Sequence, residues 1–180
     1  MKRTIIFLLA LAMIMSVLFL SSCKKSSDIG GNGGNSGLSV GDAAPNFTET
    51  DSQGNSFTLE SLRGNVVVVS FSAMWCGPCR AEAPELVSIY NTYKERGLEI
   101  VQCIYEDEGS EPADLDDLAR WINEFGIPFT VINDPDRSTV DAYKFSSIPF
   151  NVILDRDLII RDIITGNYPT RIIQAIEDLL

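Results

Sequence analysis

Hydrophobic and polar positions along the chain switch between a two-residue and a helical period, and the switches mark out its elements. Residues 66–71, Val-Val-Val-Val-Ser-Phe, are apolar and β-branched, the signature of a buried strand. From Arg80 to about Arg96, apolar residues fall at Leu86, Ile89, Tyr90 and Tyr93, which predicts a helix. A second strand is predicted over 98–104. The stripe Leu115, Leu118, Ile122 and Phe125 predicts a helix that starts near Ser110-Glu111-Pro112 and ends at Gly126. A short strand over 129–132 and a short helix over 136–145 follow. Residues 150–154 and 158–164 read as two strands joined at Asp155-Arg156-Asp157, and Ile172, Ile173, Ile176 and Leu179 mark a closing helix. Ahead of these, 46–50 and 57–59 flank the turn-rich stretch 51–55, a β-hairpin pattern.

The order begins βαβ and ends ββα, so an α/β domain is expected. Its central sheet is mixed but mostly parallel, the last ββ pair adds an antiparallel edge, and helices flank it. Residues 40–180 are one domain's worth of chain, with no internal repeat.

The preceding residues have a different character. Met1-Lys2-Arg3 leads into an apolar run from Ile5 to Leu20 broken only by Ser16, the pattern of a secretory signal peptide over 1–22. Leu20-Ser21-Ser22-Cys23 resembles the bacterial lipoprotein signal, which implies cleavage before Cys23 and a lipid on Cys23. A plain signal peptide or an uncleaved anchor with an incidental cysteine are the alternatives. Residues 23–39 form a Gly, Asn and Ser-rich tether, whose 16-residue stretch 24–39 would reach roughly 20–25 Å as a flexible coil. All of these readings place the domain outside the cytoplasm, where disulfides persist.

Charge narrows the partners. Fourteen basic and 25 acidic residues give a net charge of −11; without Lys2 and Arg3, 12 basic and 25 acidic residues leave −13. That argues against nucleic acid and against electrostatic adhesion to anionic lipid.

The chemistry is concentrated in Trp75-Cys76-Gly77-Pro78-Cys79, between the predicted strand and the predicted helix. A helix N-terminus carries unpaired N–H groups and a partial positive charge, which stabilise a thiolate. A cysteine pKa of about 8.5 falls to roughly 3.5–7.5 in such motifs. Cys76, nearer the helix start, is the expected nucleophile, and Cys79, one turn in, the resolving thiol. Half a zinc site is the competing reading, but structural zinc needs four Cys or His ligands. The chain has no histidine, and beyond the pair only Cys23 and Cys103 remain. As a structural staple, so short a disulfide loop would contribute little. Cys103 sits in an apolar strand and reads as a buried, inert thiol. Glu106-Asp107-Glu108 reads as a solvated acidic loop in preference to a metal cluster. No metal and no cofactor are expected.

Residues 40–180 resemble the thioredoxin superfamily, and more closely its membrane-tethered extracytoplasmic thiol–disulfide oxidoreductases of the TlpA/ResA type. The resemblance is carried by Gly41-Asp42-Ala43-Ala44-Pro45-Asn46-Phe47, Leu62-Arg63-Gly64, the run from Trp75 through Cys79 to Pro84, and Ile148-Pro149. It implies a thioredoxin-like fold with an N-terminal hairpin and a helical insertion. It implies a cis Pro149 facing the disulfide, with the Ile148 backbone pairing with an incoming peptide. An ordinary trans turn proline is the alternative. Trp75, Gly77 and Pro78 would complete the substrate surface, with Trp75 covering the disulfide or serving as a core aromatic. Pro84 would bend the active-site helix. Glu82, three residues after Cys79, would move protons to and from the thiols, whereas a solvated helix glutamate is the plain reading. Where thioredoxins carry a buried strand aspartate, this chain has Ser70, which shifts the proton role toward Glu82 or water.

Gly-Pro between the cysteines resembles the reducing members of the superfamily. The expected activity is reduction of disulfides in envelope client proteins, with apocytochrome c maturation one possible destination, by a lipid-anchored monomer supplied from a membrane electron donor. Two alternatives belong to other classes. A peroxiredoxin-like peroxidase has Pro and Thr seven and three residues before its reactive cysteine, where Cys76 is preceded by Val69 and Ala73. A non-enzymatic binding lipoprotein would leave the thiols incidental.

Overall fold

The computed structural model describes residues 37–180. The predicted signal peptide, Cys23 and the tether up to residue 36 lie outside the described residues. Among the described residues, no helix is long and apolar enough to cross a membrane.

Strand β3 (Val66–Ser72) is buried along its whole length and forms the axis of the domain. Two strands lie parallel on one side of it, β4 (Leu98–Ile104) and then β5 (Thr130–Asn133). On its other side β6 (Phe150–Leu154) runs antiparallel to β3, and β7 (Ile160–Thr165) runs antiparallel to β6, giving the order β5-β4-β3-β6-β7. Parallel and antiparallel pairings are therefore equal in number, and the expectation of a mostly parallel sheet is corrected. The reason lies in the connection: the short helix α3 (Ser138–Tyr143) and the loop after it bring β6 back beside β3 in the opposite sense. The hairpin of β1 (Thr48–Thr50) and β2 (Ser56–Thr58) forms a separate two-stranded sheet. Its turn is organised by Asp51, whose Oδ1 accepts the Gln53 and Asn55 N–H groups at 2.9 and 2.8 Å.

Both faces of the sheet are covered. On one, α1 (Gly77–Tyr93), α2 (Leu115–Phe125) and α4 (Pro169–Glu177) bury Leu86, Ile89, Leu118, Trp121, Ile172 and Ile176 against Val66, Val68 and Ile100. On the other, Phe47, Val140 and Tyr143 pack on Val67, Val69 and Phe71. There the Phe71 ring lies 4.8 Å from both Tyr143 and Phe145 and 6.1 Å from Phe150.

Element starts differ from the periodicity for local reasons. Helix α1 begins at Gly77 rather than Arg80 because Cys76 itself is the cap. Helix α2 begins at Leu115 rather than near Ser110. Ser110 adopts a left-handed conformation and Asp107 Oδ1 takes the Gly109 and Glu111 N–H groups at 2.7 and 2.9 Å. Asp114 and Asp117 then form a reciprocal capping box, and Gly126, at φ 63°, ends the helix in a left-handed conformation that suits glycine. Left-handed Arg137 and Lys144 trim α3 to Ser138–Tyr143, and left-handed Leu158 delays β7 to Ile160.

Phe71 ties the loop before β6 to the central strand. Phe71→Ala is expected to destabilise the domain by about 3–5 kcal/mol, the usual cost of deleting a buried ring. Denaturant unfolding would show this as a lower midpoint with an unchanged slope; an unchanged midpoint would remove Phe71 from its structural role.

Candidate active site

The end of β3 delivers Ala73, Met74 and Trp75 to the start of α1, and Cys76 is the residue at the junction. Cys76 is extended while Gly77 is already helical, and the Cys76 Sγ accepts the Cys79 N–H at 3.2 Å. This is the position from which a side chain satisfies an orphan donor at a helix N-terminus. Pro78 lies in the first turn, where its missing N–H costs no helical hydrogen bond. Cys76 and Cys79 are joined as a disulfide across a Cα–Cα distance of 5.2 Å. Cys76 is 3% exposed and Cys79 fully buried, so the sulfur open to attack is that of Cys76.

Cys76 opens on a cavity of about 460 Å³. Trp75, Gly77 and Pro78 form one wall and Ile148 another, and the Ile148–Pro149 peptide bond is cis. Five of the residues assigned to the site from sequence thus surround one opening. Trp75 is 47% exposed, which rules out a core aromatic. Its indole N–H donates to Glu106 Oε2 at 2.8 Å.

Glu106 was expected in a solvated acidic loop, and that is corrected. Its second oxygen accepts Arg137 Nη1 at 2.6 Å, and its backbone carbonyl accepts the Met74 N–H at 3.0 Å. One residue therefore holds the cysteine loop by both side chain and backbone. Arg137 lies over the Tyr105 ring at 4.9 Å, and both line the cavity with Phe145. These contacts join residues 31 positions apart in sequence, and no local pattern announces them.

A polar layer lies between α1 and the sheet. Glu82 is fully buried, so the solvated-glutamate reading fails. Its Oε1 accepts Asn151 Nδ2 at 2.9 Å. Asn151 is the register partner of Ser70 in the β3–β6 pair, and all three side chains are fully buried. Ser70 Oγ, Asn151 Oδ1 and Glu82 Oε2 have no partner among the described residues. Burial pushes the Glu82 carboxyl up to about 7, against the lowering effect of the Asn151 amide. Asn151 was not singled out from sequence, although a polar residue inside the apolar run 150–154 was a signal.

Cys103 is buried, and desolvation with the nearby Asp134 and Glu49 raises its thiol well above the ordinary range, in keeping with an inert role. Glu49, Asp134 and Asp136 bring acidic oxygens within 4.8 Å of one another. All three are already engaged: Glu49 accepts Thr139 Oγ1 at 2.5 Å, Asp134 accepts the Val140 N–H at 2.7 Å and Asp136 accepts the Ser138 N–H at 3.0 Å.

The profile of the AhpC/TSA family matches residues 40–163. The chain is 32% identical over 122 residues to the thiol–disulfide oxidoreductase ResA of Bacillus thuringiensis, covering 67% of this chain and just under two thirds, 66%, of that relative. It is 29% identical over 147 residues to ResA of Bacillus subtilis, covering 82% of this chain and 79% of the relative. Among solved structures, a candidate thiol:disulfide interchange protein DsbE from Chlorobium tepidum superposes with a TM-score of 0.70 at 28% identity, over 79% of this chain and 98% of that one. A candidate protein disulfide isomerase from Bacteroides thetaiotaomicron gives 0.71 at 27% identity, over 79% and 91%. The family match spans more than half of the chain: the protein belongs to the AhpC/TSA family and has a thioredoxin-like fold.

The raised Glu82 carboxyl has a stability consequence. The unfolded chain releases this proton near pH 4.5 and the folded chain holds it to about 7, so the folded state binds more protons in that window. Its contribution is complete below pH 4.5 and is lost as pH rises to 7, amounting to about 3 kcal/mol at most. Unfolding free energies of the wild type and Glu82→Gln, measured from pH 4 to 8, are expected to diverge over that window, with the wild type falling. Parallel curves would mean that the carboxyl titrates normally.

Proposed function

We propose that the chain is an extracytoplasmic thiol–disulfide oxidoreductase that reduces disulfides in client proteins of the bacterial cell envelope. The observation that carries this is the Cys76–Cys79 disulfide at the cap of α1, with its more accessible sulfur opening on a cavity lined by Ile148, the residue before the cis bond to Pro149. The names of the ResA relatives support the activity.

In the reduced form, the Cys76 thiolate attacks a client disulfide, forming a mixed disulfide and expelling one client thiolate. The Cys79 thiol then passes its proton to the Glu82 carboxylate and attacks the Cys76 sulfur. The Cys76–Cys79 disulfide forms and the second client thiolate leaves; both client thiolates take protons from water according to pH. Two electrons have moved from the protein dithiol to the client. The helix N-terminus stabilises the Cys76 thiolate at the start, and Glu82, one helical turn from Cys79, handles the proton. The Ile148 backbone pairs with the client chain, and Trp75, Gly77 and Pro78 form the surface on which it lies.

The chain works as a monomer anchored by lipid at Cys23, and a membrane electron donor re-reduces it. Cytochrome c maturation is a use consistent with the ResA likeness. A peroxidase reading finds no support at Val69 and Ala73, where its Pro and Thr would stand.

Cys76→Ser is expected to lose disulfide exchange entirely, and Cys79→Ala to accumulate mixed disulfides with envelope proteins. Equilibration of the wild type with glutathione should give a potential nearer about −270 mV than −120 mV. A value above about −180 mV would make the protein an oxidant or isomerase. Peroxide turnover without protein-disulfide exchange would favour the peroxidase.

Cys23→Ser is expected to leave the membrane fraction or to retain its first 22 residues. A variant processed and anchored like the wild type would sink the lipoprotein assignment.

A further inference from the structure

Asn151 and Ser70 have no part in the exchange chemistry, yet they are among the fully buried polar residues of the domain. Both are fully buried and both leave an oxygen without a partner among the described residues. A buried polar atom left unsatisfied costs about 1–3 kcal/mol, and three such atoms belong to side chains linked by the strand register and one hydrogen bond: Ser70 Oγ, Asn151 Oδ1 and Glu82 Oε2. Their placement is not accidental to the fold. Asn151 pairs with Ser70 across β3 and β6, which puts both side chains on the sheet face that α1 covers. Asn151 Nδ2 already donates to Glu82 Oε1 at 2.9 Å.

The inventory of donors explains the orphans. Asn151 Oδ1 and an ionised Glu82 Oε2 are both pure acceptors, so nothing can pass between them. A proton on Oε2 changes that: the carboxyl O–H becomes a donor and Asn151 Oδ1 its acceptor. Carboxyl and amide are then joined by two antiparallel hydrogen bonds. The Ser70 hydroxyl borders this pair as the register partner of Asn151, and has no hydrogen-bond partner of its own among the described residues.

We propose that Asn151 is a positioning residue that orients the Glu82 carboxyl, in the disulfide form, through a paired carboxyl–amide hydrogen bond. This rests on the reading of Glu82 as the acceptor of the Cys79 proton, and it says where that proton stays. When the Cys76–Cys79 bond closes, Cys79 gives up a proton and a sulfur–sulfur bond forms. The proton resides on Glu82 Oε2, shared with Asn151 Oδ1. It returns to Cys79 when the bond is broken by a reducing dithiol, whose first sulfur forms a mixed disulfide with Cys76 and whose second releases Cys76, so that the dithiol supplies both electrons and leaves as a disulfide.

Among the described residues, no charged group acts on the Glu82 carboxyl. On α1, Cys79 one turn before it is bound in the disulfide. β3 and β6 present Ser70 and Asn151, and β4 presents Gln102, which is engaged with Ser72 at 3.2 Å and Trp121 at 3.0 Å. α4 presents Ile172 and Ile176. Burial and the Asn151 amide are the two influences on the carboxyl.

The test reads the carboxyl directly and needs no turnover. Full-length oxidised protein labelled with carbon-13 at glutamate side-chain carboxyls is titrated by NMR from pH 4 to 9, with Glu82→Gln identifying the signal. In the wild type, Glu82 is expected to remain protonated at pH 6. Asn151→Leu removes a donor to the charged form and an acceptor from the neutral form. Because charge-assisted hydrogen bonds are roughly twice as strong as neutral ones, the midpoint should rise by about one pH unit. Ser70→Ala should shift it by less. An ionised Glu82 at pH 6 in the wild type overturns the proposal even if Asn151→Leu does not fold, and so does an unmoved midpoint in a folded Asn151→Leu. Failure of the underlying reading is a separate result: thiol exchange whose pH profile is the same in the wild type and Glu82→Gln, whatever the NMR midpoint.

Discussion

A strand with no solvent-facing side governs this domain. Every residue of β3 is buried, so helices must cover one face and the α3–hairpin layer the other. A strand of this kind reads as a continuous apolar run, and 66–69 do. Toward its end the run changes to Ser70-Phe71-Ser72 without becoming exposed. The polar residues are therefore buried by the fold and must find partners from other elements. Ser72 finds Gln102, and Gln102 in turn takes the Trp121 indole N–H. Ser70 faces Asn151 and the underside of the active-site helix.

The same constraint explains why the chemistry lies where it does. A buried strand running into a helix delivers the helix N-terminus to the end of the sheet, where a partial positive charge meets the surface. Cys76 uses that end twice over: its sulfur caps the Cys79 N–H and lines the cavity. Glu106 fixes the loop between strand and helix through the Met74 N–H, the Trp75 indole and Arg137. The reactive sulfur is thus set by a rigid strand below, a helix behind and a carboxylate clamp beside it.

What was legible in the chain was whatever local pattern controls. The β-branched run, the helical stripe of α4, the two cysteines three positions apart and Pro149 could all be read in order; the stripe of α2 was read in part, since Leu115 is exposed and Trp121, outside the stripe, is fully buried. The helix starts were misread where side chains redirect the backbone, as Asp107 does before α2 and Cys76 does at α1. The pairing of β6 antiparallel to β3 could not be seen, because it depends on where a short helix and loop return the chain. Arg137 and Tyr105 were invisible for a related reason: their relation to Trp75 passes through Glu106, 31 residues away. Asn151 lay between these cases, a polar residue in an apolar strand whose partner only tertiary structure supplies.

Burying a carboxylic acid is unfavourable once it ionises, and the domain does so one helical turn after Cys79 while leaving many other acids in water. An exposed carboxylate would be ionised throughout the neutral range and would oppose a thiolate forming beside it. A buried one without a partner would be neutral and hard to ionise. Placing Asn151 against Glu82 gives an intermediate case, in which burial favours the proton and the amide N–H favours its release. The two influences leave the carboxyl near 7, within reach of either state under conditions where thiols also exchange. Ser70, lacking a carboxylate of its own, adds no second charge to that layer, and the single proton can move between sulfur and oxygen without a competing acid.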